Sequence, residues 1–182
     1  MTSPHPVSPD AISPDDKDWT WVLDQQCPEC GFTAAEVTGP DVGRLVRSAA
    51  EPWPQVLARD DVRARPAPAV WSPLEYGAHV RDVLRLFDQR LALMLAENDP
   101  GFANWDQDET AVTQGYAEQA PAVVATELAA AADTAADRFD SVAPDLWTRT
   151  GRRSNGSVFT IESLGRYFLH DLVHHLHDVG AR

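Results

Sequence analysis

The chain has 182 residues, enough for one domain with a buried core and no need of disulfides. Its formal net charge of -13 excludes a nucleic-acid backbone as partner, because that contact needs a basic face that releases counterions. No apolar run approaches the roughly 20 residues that span a bilayer, and no basic start with an apolar stretch opens the chain, so a soluble, cytoplasmic protein is expected.

Residues 1–17 carry Pro4, Pro6, Pro9 and Pro14 among serines and aspartates and read as a disordered tail. Residues 18–37 form an N-terminal extension. It begins with the apolar Trp19, Trp21, Val22 and Leu23 and continues into Cys27-Pro28-Glu29-Cys30-Gly31. That turn is half of a zinc knuckle, but the chain holds no second cysteine pair. Two reduced cysteines shaping a turn beside the core are the expectation for it, with metal binding or dithiol redox chemistry as the alternatives.

The bundle itself is expected over residues 38–182. From Gly39 to Arg59, Val42, Leu45, Val46, Ala49, Trp53, Val56 and Leu57 recur at helical steps, with Pro52 and Pro54 predicting a break near Glu51. Trp71-Ser72-Pro73-Leu74-Glu75 is a helix start: Ser72 caps, Pro73 suits the first helical position and Glu75 closes a capping box. This helix runs to about Glu97, with Val80, Val83, Leu84, Phe87, Leu91, Met94 and Leu95 as its buried stripe and His79 at the stripe's edge.

Asn98-Asp99-Pro100-Gly101 ends it with turn chemistry. Trp105 to Tyr116 reads as a loop with a short helix that roofs a cavity. Pro121 opens a third long helix, with Val123, Val124, Leu128, Ala131, Ala135 and Phe139 toward the core. A loop or short hairpin follows between Trp147 and Phe159, and Thr160 caps a last helix from Ile161 to about Val179. The expected fold is all-α, a four-helix bundle with a short extra helix and a small hairpin before the last helix.

Four of the six histidines, His170, His174, His175 and His177, lie in the last helix. His170 and His174 stand four apart, the spacing at which two imidazoles grip one metal ion, and His79 is the natural third ligand. Three imidazoles leave positions open for catalysis, with Asp171, Asp178, Glu75 and Asp82 available behind the ligands. The helical stripe Ile161, Leu164, Phe168, Leu172 and Val179 faces away from that pair, however, while Asp171 and His175 lie closer to it. Either the site faces a cleft, or the pair is shifted by one, with His175 in place of His174.

The run from Trp71 to His79, then Arg153-Ser154-Asn155-Gly156 and Phe159-Thr160 leading into His170-Asp171-Leu172-Val173-His174-His175, resembles the DinB-like superfamily, with its mycothiol-dependent maleylpyruvate isomerase and bacillithiol transferase branches. The likeness covers roughly residues 38 to 180. It implies a four-helix bundle holding a divalent metal, zinc or nickel, through His79, His170 and His174. In the isomerase-like branch the first residue of the C-terminal pair is a glutamate, and here it is His170. The resemblance further implies activation of a low-molecular-weight thiol for transfer to, or isomerisation of, a small electrophilic substrate; a non-catalytic metal-binding or stress-associated protein is the alternative. Arginine outnumbers the single Lys17 as in GC-rich actinobacterial genomes, which favours mycothiol as the thiol. Arg149, Arg152 and Arg153 are candidates to hold a cofactor carboxylate. Trp105 and Tyr116 line the cavity or belong to the core. The expected partners are a small-molecule substrate and, in a homodimer, a second copy of the chain.

Overall fold

The computed structural model describes Ile12 and residues 19–181; the tail expected over residues 1–17 lies, Ile12 aside, outside them. The helices are α1 (Val42–Ala50), α2 (Trp53–Leu57), α3 (Pro73–Ala96), α4 (Gln107–Thr113), α5 (Pro121–Asp140) and α6 (Ile161–Asp178). Strands β1 (Gly101–Phe102), β2 (Thr150–Arg153) and β3 (Val158–Thr160) complete the elements, with short 3-10 turns at Trp19–Leu23, Ala34–Glu36, Gly39–Asp41 and Tyr116–Glu118. The first helical stripe is broken into α1 and α2 with Pro52 at the junction, as a residue without an amide hydrogen dictates.

Local chemistry sets the two helix starts that matter for function. At α3 the Ser72 hydroxyl accepts from the Glu75 amide, and the Ser72 amide donates to the Glu75 carboxylate at 2.8 Å. The same box opens α6, where Ser163 N donates to Thr160 Oγ1 at 3.0 Å and Thr160 N to Ser163 Oγ at 2.9 Å. Each box satisfies backbone amides that no helical carbonyl reaches, and so fixes where the register of its helix begins.

α1 is flanked by α5 and α6, and so is α3, so the first two arms of the bundle lie across from each other. Phe168 of α6 stacks on Phe87 of α3 with ring centroids 4.8 Å apart and on Phe139 of α5 at 5.9 Å, tying three helices through one fully buried ring. α5 differs from expectation at one position: Val123 is 54% exposed, and the inward turn is carried by Val124.

The hairpin expected before the last helix exists, β2 pairing antiparallel with β3 through Gly151 opposite Phe159. β1 adds a parallel third strand, Gly101 opposite Arg152 and Phe102 opposite Arg153. Only turn chemistry was legible there, since two residues cannot show an alternation. Among the described residues no helix is long and apolar enough to cross a membrane.

Gly43 marks the closest approach of α1 to α5: a Cβ there would lie 2.0 Å from Asp140 Oδ1 and 2.8 Å from the Ala136 carbonyl oxygen. Gly43→Val therefore forces the helices apart and is expected to cost about 1–3 kcal/mol, read as a lower urea midpoint with an unchanged denaturant slope.

Candidate metal centre in the cleft

A cavity of about 770 Å³ opens between α3, α6, the Asn104–Asp108 segment and the N-terminal turn. Its walls include Trp19, Trp71, Trp105, Tyr76, Phe87 and Tyr167, and its polar groups include Asp171, His175, Arg90 and Arg153. α4 contributes no buried residue; Asn104 to Asp106 before it and Gln107 and Asp108 of its first turn line the cavity.

Nearly two turns from its start, α3 presents His79, fully buried and held between Trp71 and Trp105 at ring-centroid distances of 5.1 and 5.4 Å. Across from it on α6 stand Asp171 and His175. His79 Nε2 is 3.6 Å from Asp171 Oδ1, and the same oxygen is 3.4 Å from His175 Nε2. One ligand atom from each of the three lies within 4.8 Å of the others.

The 3.6 Å separation is too long for a direct hydrogen bond, and both ring nitrogens of His79 and Asp171 Oδ1 are buried with no hydrogen-bond partner. Buried polar atoms left so are costly and rare. Nitrogen and oxygen donors about 2.1 Å from a tetrahedral ion lie about 3.4 Å apart, so the observed separations are those of donors spaced to share one cation. Behind them, His175 Nδ1 contacts Asp178 Oδ2 at 2.8 Å, which places a proton on Nδ1 and leaves Nε2 to face Asp171.

The electrostatics agree. Burial pushes the His79 pKa down from its ordinary 6.5, the nearby Asp171 carboxylate opposing this only in part. Burial raises Asp171, but the facing imidazoles more than offset it and hold the carboxyl at about 2. Neutral imidazoles and an ionised carboxylate are the forms that bind metal.

The structure thus divides the expected trio. His79 meets Asp171 and His175, the arrangement shifted by one, while His170 and His174, which border the same cavity, lie against Cys27 and Cys30 of the N-terminal extension. The apolar stripe of α6 decides this: with Leu164, Phe168 and Leu172 buried in the bundle, residues 171 and 175 are the four-apart pair that faces His79. His177 is exposed.

Of the expected support residues, Asp178 stands behind His175, 2.8 Å from its Nδ1. Glu75 is occupied by its capping box and Arg65, and Asp82 by Arg81 and by the Tyr116 hydroxyl, which donates to it at 2.6 Å. Tyr116 belongs to the core, and Trp105 lines the cavity.

Of the three expected arginines only Arg153 reaches the cavity. Arg149 donates to the Glu97 carbonyl, and Arg152 pairs with Asp99 at 2.6 Å on the outer face of the hairpin. Arg90 also lines the cavity. It lies eleven residues after His79 on the same face of α3, donates to the Ala103 carbonyl at 3.2 Å, and sits over the rings of Phe87 and Phe102. Burial, with Arg153 nearby, lowers its pKa to about 10. Among the described residues neither Arg90 nor Arg153 is paired with a carboxylate. Its place on the stripe Val83, Phe87, Arg90, Met94 was a legible signal, since a charge on a buried stripe calls for a partner.

Burial also lowers His174, and it lowers His170 to about 4 from 6.5. Below pH 6.5 the unfolded chain therefore binds more protons than the folded one, and stability falls as pH falls. For the metal-free chain the urea midpoint is expected to decline between pH 6.5 and about 4, the window that the His170 shift sets. A midpoint flat across that range would contradict neutral, buried imidazoles.

The comparisons with known proteins follow this geometry. The chain matches the family described as the DinB superfamily over residues 44–179. No curated protein sequence matches it. Among solved structures, YfiT from Bacillus subtilis, described as "a probable metal-dependent hydrolase with an unusual four-helix bundle topology", is similar with a TM-score of 0.69 at 15% identity, over 79% of this chain and 85% of that one. That likeness is one of fold. The broken first helix and three further long helices, the last of them bearing the histidines, are accounted for together: the chain belongs to the DinB superfamily.

Proposed function

We propose that this chain is a divalent-metal enzyme centred on His79, Asp171 and His175, which activates a low-molecular-weight thiol for transfer to, or isomerisation of, a small electrophilic substrate that bears an anionic group. The observation that carries the reading is the convergence of three donors, His79 fully buried and Asp171 and His175 half-buried, with no hydrogen-bond partner among the described residues for the His79 ring nitrogens or Asp171 Oδ1, in a cavity that also holds two arginines unpaired with carboxylates among those residues.

A divalent ion in that position, zinc or nickel by its nitrogen and oxygen donors, lowers the pKa of a bound thiol or water and polarises a carbonyl. The chain supplies the rest. Three protein ligands leave coordination positions open toward the cleft. Trp71 and Trp105 exclude water from His79, and Asp178 holds the His175 ring in its orientation. Arg90 and Arg153 bind a carboxylate or phosphate of the thiol's acceptor, orienting the electrophilic carbon while its new C–S bond forms and its leaving group departs. A volume of about 770 Å³ accommodates a sugar-linked thiol such as mycothiol together with a small acceptor. The likeness to YfiT favours a second reading, in which water is the nucleophile and the reaction is hydrolysis.

A screen of small electrophiles and esters, with and without mycothiol, separates these. Turnover that needs both metal and thiol supports the first; turnover with water alone supports the second; a tightly bound metal with neither leaves the non-catalytic alternative. His79→Ala is expected to abolish turnover and the metal equivalent bound at this centre while the far-ultraviolet spectrum stays native.

The arginines have their own test. Titration of the metal-loaded protein with a small dicarboxylate such as malate is expected to weaken about tenfold or more in Arg90→Met, from the loss of a charge-assisted hydrogen bond. Equal affinity in wild type and variant would remove Arg90 from the site.

A further inference from the structure

His170 and His174, at the edge of the cleft that borders the N-terminal extension, are not left in a solvated face. They lie under the N-terminal extension, with Cys27 0%, Cys30 2%, His170 4% and His174 8% exposed. One ligand atom from each lies within 4.8 Å of every other, and Cys27 Sγ is 3.7 Å from His174 Nδ1. The geometry points to a second metal site, a closed Cys₂His₂ centre for Zn²⁺ that fastens the extension to the last helix and is distinct from the catalytic centre of the cleft.

Four observations carry it. The first is the donor set: two thiolates and two imidazoles select zinc and fill its tetrahedron, the mark of a structural site. In such a site sulfur and nitrogen ligands lie about 3.6 Å apart, close to the distance seen between Cys27 and His174. The two cysteines are not joined as a disulfide.

The second is the loop. The Cys27 amide donates to the Phe32 carbonyl at 2.9 Å and the Gly31 amide to the Cys27 carbonyl at 2.8 Å, with Gly31 at φ 71. Only a residue without a Cβ takes that conformation readily, and the tight turn it permits brings both sulfurs to one side. The third is an unpartnered group: His170 Nε2 is buried and makes no hydrogen bond, a cost that coordination by this ring would relieve.

The fourth is the support behind the ligands. His174 Nε2 lies 3.4 Å from Glu29 and 3.8 Å from Asp178. These carboxylates favour a proton on Nε2 and so leave Nδ1, the nitrogen facing Cys27, free to coordinate. Trp19 covers both rings, at 5.4 Å from His170 and 5.1 Å from His174, and Phe32 stands edge-on to His170 at 5.8 Å. Glu29 also lies within the motif Cys27-Pro28-Glu29-Cys30, so the knuckle brings its own second-layer acceptor.

The test uses the full chain, loaded with Zn²⁺ or Co²⁺. Wild type is expected to hold two zinc equivalents, the double variant Cys27→Ser/Cys30→Ser one, and His79→Ala one. With Co²⁺, wild type and His79→Ala are expected to show the intense near-ultraviolet band of sulfur-to-cobalt charge transfer, and the double variant to lack it. Where the double variant does not fold, the spectra of wild type and His79→Ala decide alone. Cobalt-loaded wild type without the charge-transfer band overturns the second site. A single equivalent that His79→Ala removes overturns it too, and leaves the cleft centre standing. A single equivalent that keeps the band in His79→Ala upholds the second site and removes the cleft centre.

Discussion

Everything functional in this fold depends on the burial of α6 on more than one side. A helix turns 100° per residue, so neighbours in sequence face different surroundings. Phe168 and Leu172 point into the bundle, Asp171 and His175 into the cleft, and His170 and His174 under the extension. The stack of Phe168 between Phe87 and Phe139 sets this rotation. Were the helix rotated by one residue, both groups of donors would lose their partners together.

Much of this was legible. The two helix starts, the broken first arm and the hairpin followed from caps, prolines and glycines whose chemistry is local. His79 was legible as a residue of the cleft, since it sits near the start of a helix, at the edge of a clear stripe. The pairing of ligands was less so, because periodicity states where a face points but not what lies over it. The stripe of α6 argued for Asp171 and His175, while the four-residue spacing of His170 and His174 argued for them, and spacing alone cannot separate two pairs on one helix.

The cover over that second face was the part hidden from sequence. Residues 19–37 form only 3-10 turns and bends, which leave no period to read. Their apolar residues Phe32, Ala34 and Val37 nonetheless enter the same core as the helices, and Arg166 secures the segment by donating to the Val37 carbonyl at 2.8 Å. The extension is therefore a wall of the cleft as well as a lid on α6, since Trp19 and Glu29 border the cavity. Arg90 was missed for the opposite reason: it lay in plain sight on a stripe, but only the folded backbone shows that β1 and Arg153 arrive beside it.

Cys27 and His174 are 147 positions apart in the chain, and the whole bundle lies within the loop they close. Such a contact carries a large closure entropy and can form only on helices already assembled. Interactions made after the rate-limiting step slow unfolding and leave the folding rate nearly untouched. The knuckle thus acts as a latch on the finished bundle: it sets how long the cleft stays intact, while the helices alone set how quickly it is built.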